Sequence, residues 1–315
     1  MEALAALGVF LVGVVLIERG ADLFVERVGN LAERTRLSPT LLGLLTVGVE
    51  WEELAVAIVA AASGHVGVAV GAIIGANIAN LAGSFSLGLL ARPIPITRSD
   101  RLAMGAMLVA TVVAAGLLRN GLLESGDGAA LVGLFVLYVA ALALATARGL
   151  ARWKVEPGDE PPSRGIAATA ALTFLGLGLL IAGAELVIHG ATSFARTVGV
   201  PEVVIGLTLV SVGTTLPDKV VSVVGARRGQ GGIVVANAAG SNICNLLLVL
   251  GLAALVQPLT VDEAVRSFDL PVLVGLATLV TLLALRTRLG RAEGALLLAV
   301  YAGYLAYHGV GTLTR

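Results

Sequence analysis

Charged residues are scarce in this 315-residue chain. They make up 13% of it, against 57% hydrophobic residues, whereas a typical soluble domain carries roughly 25% charged residues. The formal net charge is zero, so the chain lacks the basic field expected of a nucleic-acid-binding protein. This composition predicts an integral membrane protein whose surroundings are the lipid bilayer and which has no nucleic-acid partner.

Residues that usually carry enzyme chemistry are also rare. Cys244 is the single cysteine, so an intramolecular disulfide is excluded. The three histidines show no metal-ligand spacing such as HExxH, and no glycine-rich loop followed by Lys suggests phosphate binding. These absences argue against an intramembrane metalloenzyme and against ATP hydrolysis. We therefore expect a protein that is not an enzyme and has no bound cofactor.

Long apolar runs recur along the whole chain. Stretches of roughly 20 apolar residues can cross a bilayer as helices, and ten such spans are predicted: 3–26, 38–62, 66–90, 103–118, 129–148, 166–192, 201–225, 231–256, 269–285 and 291–309. The Pro-rich, charged segment 151–165 is predicted to be a linker. It separates a first five-helix repeat, residues 1–150, from a second, residues 166–315.

One segment occurs twice, once in each half. Residues 43–80 contain GVEWEE and GANIAN, and residues 206–245 contain GTTLPD and GSNICN. Glu53 and Asp218 are 165 positions apart, and the same offset separates Asn80 from Asn245. Five spans per half is an odd number, so the second copy must enter the membrane from the opposite side. The fold predicted is an all-α membrane protein of ten transmembrane helices in two inverted five-helix repeats.

The positions of Lys and Arg predict the orientation in the membrane. Loops on one side of the predicted topology hold 15 of the 21 basic residues and the other side holds 4. Because basic residues accumulate on the cytoplasmic side, we expect the linker to be cytoplasmic and both termini to lie outside the cytoplasm. The predicted location is the plasma (inner) membrane; the sequence leaves the oligomeric state open, and a monomer is compatible with it.

The second copy has the groups needed to bind a dehydrated cation. An acid at membrane depth indicates function, and Pro217 beside Asp218 disturbs the helix, which frees backbone carbonyls. Thr214 lies four positions before Asp218, and Ser241 lies four before Asn245, so each pair shares one helix face. Glu53 and Asn80 occupy the matching positions of the first copy. Carboxylate, amide and hydroxyl oxygens are suitable ligands for hard cations.

GTTLPD (213–218) and GSNICN (240–245) resemble the alpha-repeat signatures of the sodium/calcium exchangers, within the cation/calcium antiporter superfamily. The resemblance covers nearly the whole chain and implies ten spans, two five-span halves and an outside N-terminus. It implies that Glu53 and Asp218 are the ion-binding carboxylates. It also implies further ligands: Asn80, Asn245, Thr214 and Ser241 through their side chains, with Ser211 and Thr46 through backbone carbonyls.

The first copy departs from the family pattern. In GVEWEE (48–53), Val49 and Glu50 replace the expected Thr and Ser, and Glu52 replaces Pro. Glu50 is three positions from Glu53, so a helix would hold them on one face. Two carboxylates that close predict a shared proton at neutral pH when no cation is bound. Glu50 is therefore a further candidate ligand, whereas Glu52 is expected to be structural or to lie at a water-filled entrance.

Purely structural roles explain these residues less well than cation binding does. The basic residues within spans are Arg19 and Lys219, and Lys219, next to Asp218, is expected to point off its face; ion pairing would therefore not explain the acids. Hydrogen bonding between helices is the alternative role for Asn80 and Asn245. The function predicted is exchange of Ca2+, or a similar cation, for Na+ by alternating access. The alternatives are a proton-coupled cation antiporter and, less favoured, a cation channel.

Overall fold

A computed structural model describes residues 2–35, 50–147, 165–197 and 215–313. The first half contains these elements: α1 (Glu2–Thr35), α2 (Trp51–Ala62), α3 (Val66–Ile78), π1 (Ala79–Ser84), α4 (Phe85–Ala91), β1 (Ile94–Pro95), α5 (Arg98–Leu118), β2 (Leu122–Leu123) and α6 (Ser125–Ala147). The second half contains these: α7 (Ile166–Thr197), α8 (Leu216–Arg227), α9 (Gly231–Ile243), π2 (Cys244–Val249), α10 (Leu250–Val256), β3 (Leu259–Thr260), π3 (Val265–Asp269), α11 (Leu270–Leu283), β4 (Arg288–Leu289) and α12 (Arg291–Leu313).

The helices have the length and composition of membrane spans. Within the described ranges, seven are long and apolar enough to cross a bilayer. Large apolar side chains point outward, among them Leu137 at 65% exposure and Val109 at 63%. Water would disfavour so much exposed apolar surface, whereas lipid would not. The prediction of a helical membrane protein is confirmed; the count of ten spans stays a prediction.

The described elements of the second half repeat those of the first. The bounds of α2 and α8 differ by 165 positions at both ends, and so do those of α3 and α9, of π1 and π2, and of α4 and α10. The last helices, α6 and α12, differ by 166. The duplication seen in the sequence therefore extends to the secondary structure, including its irregular parts.

Short strands join the two halves. Strand β1 pairs antiparallel with β4, so that Ile94 is opposite Leu289. Strand β2 pairs antiparallel with β3, with Leu122 opposite Thr260. Each pair takes one strand from each half, in a symmetric arrangement.

Helices α1 and α7 pack with their backbones in close contact. Glycines line the contact on both helices at intervals of seven residues: Gly13 and Gly20 on α1, and Gly176, Gly183 and Gly190 on α7. A Cβ atom on Gly20 would lie 2.5 Å from the backbone nitrogen of Leu180. Only glycine allows this approach, which is a common way for helices to associate in membranes.

Two π-helical segments interrupt the most buried helices. The apolar windows of Val66–Ala91 and Gly231–Val256 are 67% and 78% buried, against 11% for Ser125–Ala145. In π1 the amide of Phe85 donates to the carbonyl of Asn80, and in π2 that of Leu250 donates to Asn245. Such i to i+5 bonds are rare and are found frequently at functional sites. The chain thus changes its helical pitch at both predicted asparagines.

Candidate cation-binding site

The carboxylate of Glu50 joins the two halves at the centre of the bundle. Asn80 Nδ2 donates a hydrogen bond to Glu50 Oε1 at 2.7 Å. Asn245 Nδ2 donates one to Glu50 Oε2 at 2.8 Å. The two asparagines are 2% and 0% exposed. One carboxylate therefore receives the side chains of both π-helical segments.

Asp218 is the acidic neighbour of Glu50. Its residue is 5% exposed, and its carboxyl group lies close enough to that of Glu50 to interact with it electrostatically. Asn237 Nδ2 donates a hydrogen bond to the backbone carbonyl of Asp218 at 3.5 Å. Two carboxyl groups that are close together need a proton or a cation between them, because ionised carboxylate oxygens only accept hydrogen bonds. A cation bound between them would remove the need for a proton.

Local helix geometry explains why these two acids meet. Glu50 is the N-cap of α2, with φ −74° and ψ 86°, and its side chain makes no capping hydrogen bond. Asp218 lies in the first turn of α8, where Pro217 is at one of the first two helical positions, a location that proline tolerates well. Both acids therefore stand at helix N-termini, whose partial positive charge stabilises carboxylates.

Several oxygens around these carboxylates lack hydrogen-bond partners. Within the described part of the chain, Asn80 Oδ1, Asn245 Oδ1 and Ser241 Oγ are buried and unpartnered. Buried polar atoms are nearly always satisfied, so such a group of exceptions needs a reason. The amide oxygens of Asn80 and Asn245, whose nitrogens bind Glu50, fit a cation as the missing partner. Among the described residues, no group of three or more His, Cys, Asp or Glu side chains could hold a metal ion; a cation bound here would also need amide or hydroxyl oxygens.

Glu53 lines a neighbouring cavity of about 370 Å³. Thr215, Tyr301 and Tyr304 contribute polar groups to its wall, and Gly71 and Gly75 are among its apolar lining. Thr215 immediately precedes α8, which carries Asp218. The cavity therefore reaches the N-terminus of the helix that carries Asp218, although neither Glu50 nor Asp218 is among its lining residues.

The structure differs from the predicted Glu50–Glu53 pair. The prediction assumed helical geometry at both residues, but the backbone of Glu50 is not helical. Its carboxylate consequently turns towards the asparagines, and the carboxylate partner that the structure gives it is Asp218. Glu53, one turn into the helix, faces the cavity instead.

The structure brings together Glu50, Asn80, Asp218 and Asn245, with Ser241 on the same helix as the last of these. Thr46, Ser211 and Thr214 lie outside the described residues, and so does the side chain of Glu52. Their predicted roles stay predictions. Ala76, which corresponds to Ser241 at the offset of 165, borders the cavity beside Glu53.

Lys219 makes a contact that the sequence argument did not consider. Its ammonium group donates a hydrogen bond to Thr215 Oγ1 and interacts electrostatically with Asp218. A long, flexible side chain can fold back towards the start of its own helix, which the argument from neighbouring positions ignored. The sequence argument also missed the tyrosines of α12 that line the cavity. Their spacing of three residues, in a chain with four tyrosines, was the one sign in the sequence that could have drawn attention to them.

A membrane-embedded helical bundle with buried carboxylates at interrupted helices is typical of an integral membrane transporter. Residues 5–144 and 168–310 match the sequence model of a family described as "Sodium/calcium exchanger protein". The match falls into two parts, one in each half. The chain therefore belongs to the sodium/calcium exchanger protein family, whose members are transporters and not enzymes.

Individual relatives agree with this assignment over nearly their whole length. The putative antiporter CaxA of Alkalimonas amylolytica is 31% identical, covering 93% of this chain and 95% of the relative. The sodium/calcium exchanger MaX1 of Methanosarcina acetivorans is 29% identical, with 94% and 96% covered. The solved structure of the sodium-calcium exchanger NCX_Mj superposes with a TM-score of 0.84 at 28% identity, covering 97% of this chain and 99% of that one.

Proposed function

We propose that this protein exchanges Ca2+, or a similar cation, for Na+ by alternating access at the site around Glu50 and Asp218. The observation that carries the proposal is the carboxylate of Glu50, held by amides of both halves at 2.7 and 2.8 Å. Exchange of sodium and calcium by NCX_Mj and MaX1, as their names state, supports the choice of ions.

The ligands at hand suit a divalent cation. Ca2+ takes about six to eight oxygens in flexible geometry. Carboxylates of Glu50 and Asp218 supply charge, while Asn80, Asn245 and Ser241 supply neutral oxygens. When no cation is bound, the amide nitrogens satisfy Glu50; when one binds, the carboxylate and the unpartnered oxygens turn to it. Glu53 binds cations in the adjoining cavity.

Exchange follows from sharing one set of carboxylates. Ca2+ and Na+ both need the negative charge of Glu50 and Asp218, so one ion must leave before the other is bound. A site that crosses the membrane only when neutralised carries one species out and the other back. The Na+ gradient then drives Ca2+ movement without ATP.

Alternating access uses the internal symmetry. In an inverted repeat of ten spans, the two halves exchange their conformations to open the central site to either side. We propose that α1 and α7 slide or rock as a pair against the helices that hold the site. Their mutual contact is continuous along the glycines, which supports movement as one body.

We predict that a tag at either terminus is reachable from outside intact cells, and that a protease site inserted in 151–165 is cut only from inside. Contacts among the basic residues assigned to the cytoplasmic side support this orientation: Arg101, near the start of α5, donates Nε to Ala284 O at 3.1 Å, and Arg228, just after α8, forms an ion pair with Asp22 of α1 at 2.8 Å. Labelling of intact and permeabilised cells checks this prediction. The reverse accessibility would contradict the orientation.

The proposed exchange is tested by uptake of radioactive Ca2+ into proteoliposomes. An outward Na+ gradient should drive uptake, and a pH gradient alone should not, because the ligand set is built for metal cations. Liposomes without protein give the background. Uptake with the pH gradient alone would replace Na+ by protons as the coupling ion, and no uptake under either gradient would reject the proposed transport.

A further inference from the structure

The two halves of the site differ at several positions, and at two of them the differences have opposite charge. Glu50 corresponds to Thr215 at the offset of 165, and Leu54 corresponds to Lys219. The first half thus gains a carboxylate where the second has a hydroxyl. The second half gains an ammonium where the first has an apolar side chain. In each half the two positions are four apart, which is the spacing of one helical turn.

The ammonium of Lys219 lies at the end of α8 that begins beside the site. It donates to the hydroxyl of Thr215, the N-cap residue of this helix. A lysine in a membrane helix usually extends towards the nearest polar surface, which for α8 is the end that carries Arg227. The helix N-terminus, moreover, has partial positive charge and repels a cation. Nearby negative charge must therefore hold the ammonium where it is.

Carboxylates of the site provide that negative charge. Lys219 interacts electrostatically with Asp218, which in turn contacts Glu50. Thr215, the hydrogen-bond acceptor of Lys219, also lines the cavity that contains Glu53. The ammonium is thus close to the Glu50–Asp218 pair, and through Thr215 it borders the cavity that contains Glu53.

We propose that the positive charge of Lys219 offsets the negative charge of Glu50. The three carboxylates and this ammonium together then carry two net negative charges instead of three. Two negative charges are what one Ca2+ or two Na+ ions neutralise. This inference rests on the proposed exchange function and specifies its charge balance. It also makes Lys219 a determinant of which cations the site releases and how fast.

Glu50 and Lys219 should each impair Ca2+ exchange when the other is absent. When Glu50 alone is lost, a bound Ca2+ leaves the site with excess positive charge, so Ca2+ binds more weakly. When Lys219 alone is lost, a bound Ca2+ leaves a negative charge uncompensated in a low-dielectric region, where isolated charge is costly. The site then retains its cations and turns over slowly. A site that lacks both Glu50 and Lys219 again has two net negative charges.

The chain itself supplies the substitutions for the test. Glu50→Thr gives the first half the residue of the second, and Lys219→Leu gives the second half the residue of the first. Purified wild-type protein, both single variants and the double variant are compared by equilibrium binding of radioactive Ca2+ and by Na+-driven Ca2+ uptake in proteoliposomes. Arg19→Leu is the control, because Arg19 is also a basic residue in an apolar helix but is exposed.

Glu50→Thr should weaken Ca2+ binding by roughly a thousandfold, as expected for the loss of one unit charge about 4 Å away at an effective dielectric constant near 20. Lys219→Leu should slow uptake by about tenfold or more while Ca2+ binding is kept or tightened. The double variant should bind and transport better than the worse single variant by about tenfold, a non-additivity expected only of coupled sites. Arg19→Leu should behave as wild type.

Single effects that simply add in the double variant would overturn the proposed role of Lys219, even with wild-type exchange intact. Absence of Na+-driven uptake by the wild type would instead reject the exchange function. If Lys219→Leu does not accumulate in the membrane, Lys219→Met, which keeps the length of the side chain, takes its place in the same comparison of single and double variants.

Discussion

Replacing Asp218 by Asn should reduce Na+-driven Ca2+ uptake to the background of empty liposomes while the protein remains folded and inserted. The substitution removes the charge that must neutralise a bound cation but keeps the size of the side chain and the backbone hydrogen bond with Asn237. Asp218 is buried beside Glu50, so no solvent charge can replace it. At an effective dielectric constant near 20, losing such an interaction costs about 4 kcal/mol at a separation of 4 Å, or roughly a thousandfold in affinity.

The measurement compares Asp218→Asn with Asp262→Asn, an aspartate that is exposed in the loop before π3. The control should transport at the wild-type rate. Thermal unfolding in detergent shows whether both variants are folded. Near-normal uptake by Asp218→Asn would remove this residue from the site and leave the proposed ligand set without its second-half acid.

Replacing Gly20 by Val should prevent stable packing of α1 against α7. The first added carbon would lie 2.5 Å from Leu180 N and 2.8 Å from Gly176 O, and both are backbone atoms that cannot move aside independently. Overpacking usually costs about 1–3 kcal/mol, and a backbone collision inside a helix pair should reach or exceed the upper end. We expect a large fall in the melting temperature and in the yield of folded protein.

Gly8→Val is the matched control for this effect. It lies on the same helix, with no atom within 4 Å of an added Cβ. Thermal unfolding followed by size-exclusion chromatography should separate the two variants clearly. Equal stability of Gly20→Val and Gly8→Val would show that the close approach of the two helices is not needed for the fold.

Sequence periodicity and repetition predicted the membrane class and where most helices lie. The predicted span 66–90 and the observed continuous helix of residues 66–91 agree closely, because a long apolar run between turn residues has few alternatives to a helix in lipid. The offset of 165 residues, first seen between Glu53 and Asp218, holds for the described helices of the site as well. Local pattern and duplication were sufficient for these features.

The position of Glu50 could not be predicted from spacing. Its contact with Asn245 joins residues 195 positions apart. The contact exists because helix α2 begins at Trp51, which leaves Glu50 just outside the helix. A helix boundary that differs by one residue redirects a side chain completely. The apolar sequence around GVEWEE contains no signal that fixes the boundary so closely.

Lys219 and the π-helical segments illustrate a second limit. A lysine after Asp218 has several directions open to it, and only the position of Thr215 selects one. The wider turns at Asn80 and Asn245 depend on how two buried helices cross, and no residue type encodes a π-helix. Contacts between the halves, including the pairing of Ile94 with Leu289, likewise arise from the assembled bundle.

The account depends above all on a cation between the two halves at Glu50 and Asp218. Anomalous diffraction from crystals soaked with Ca2+ tests this most directly. We predict one strong peak at the usual calcium–oxygen distance, about 2.3–2.6 Å, from carboxylate oxygens of Glu50 and Asp218 and from an amide oxygen of Asn80 or Asn245. A peak confined to the cavity at Glu53, or no peak in protein that exchanges Ca2+ normally, would contradict the account.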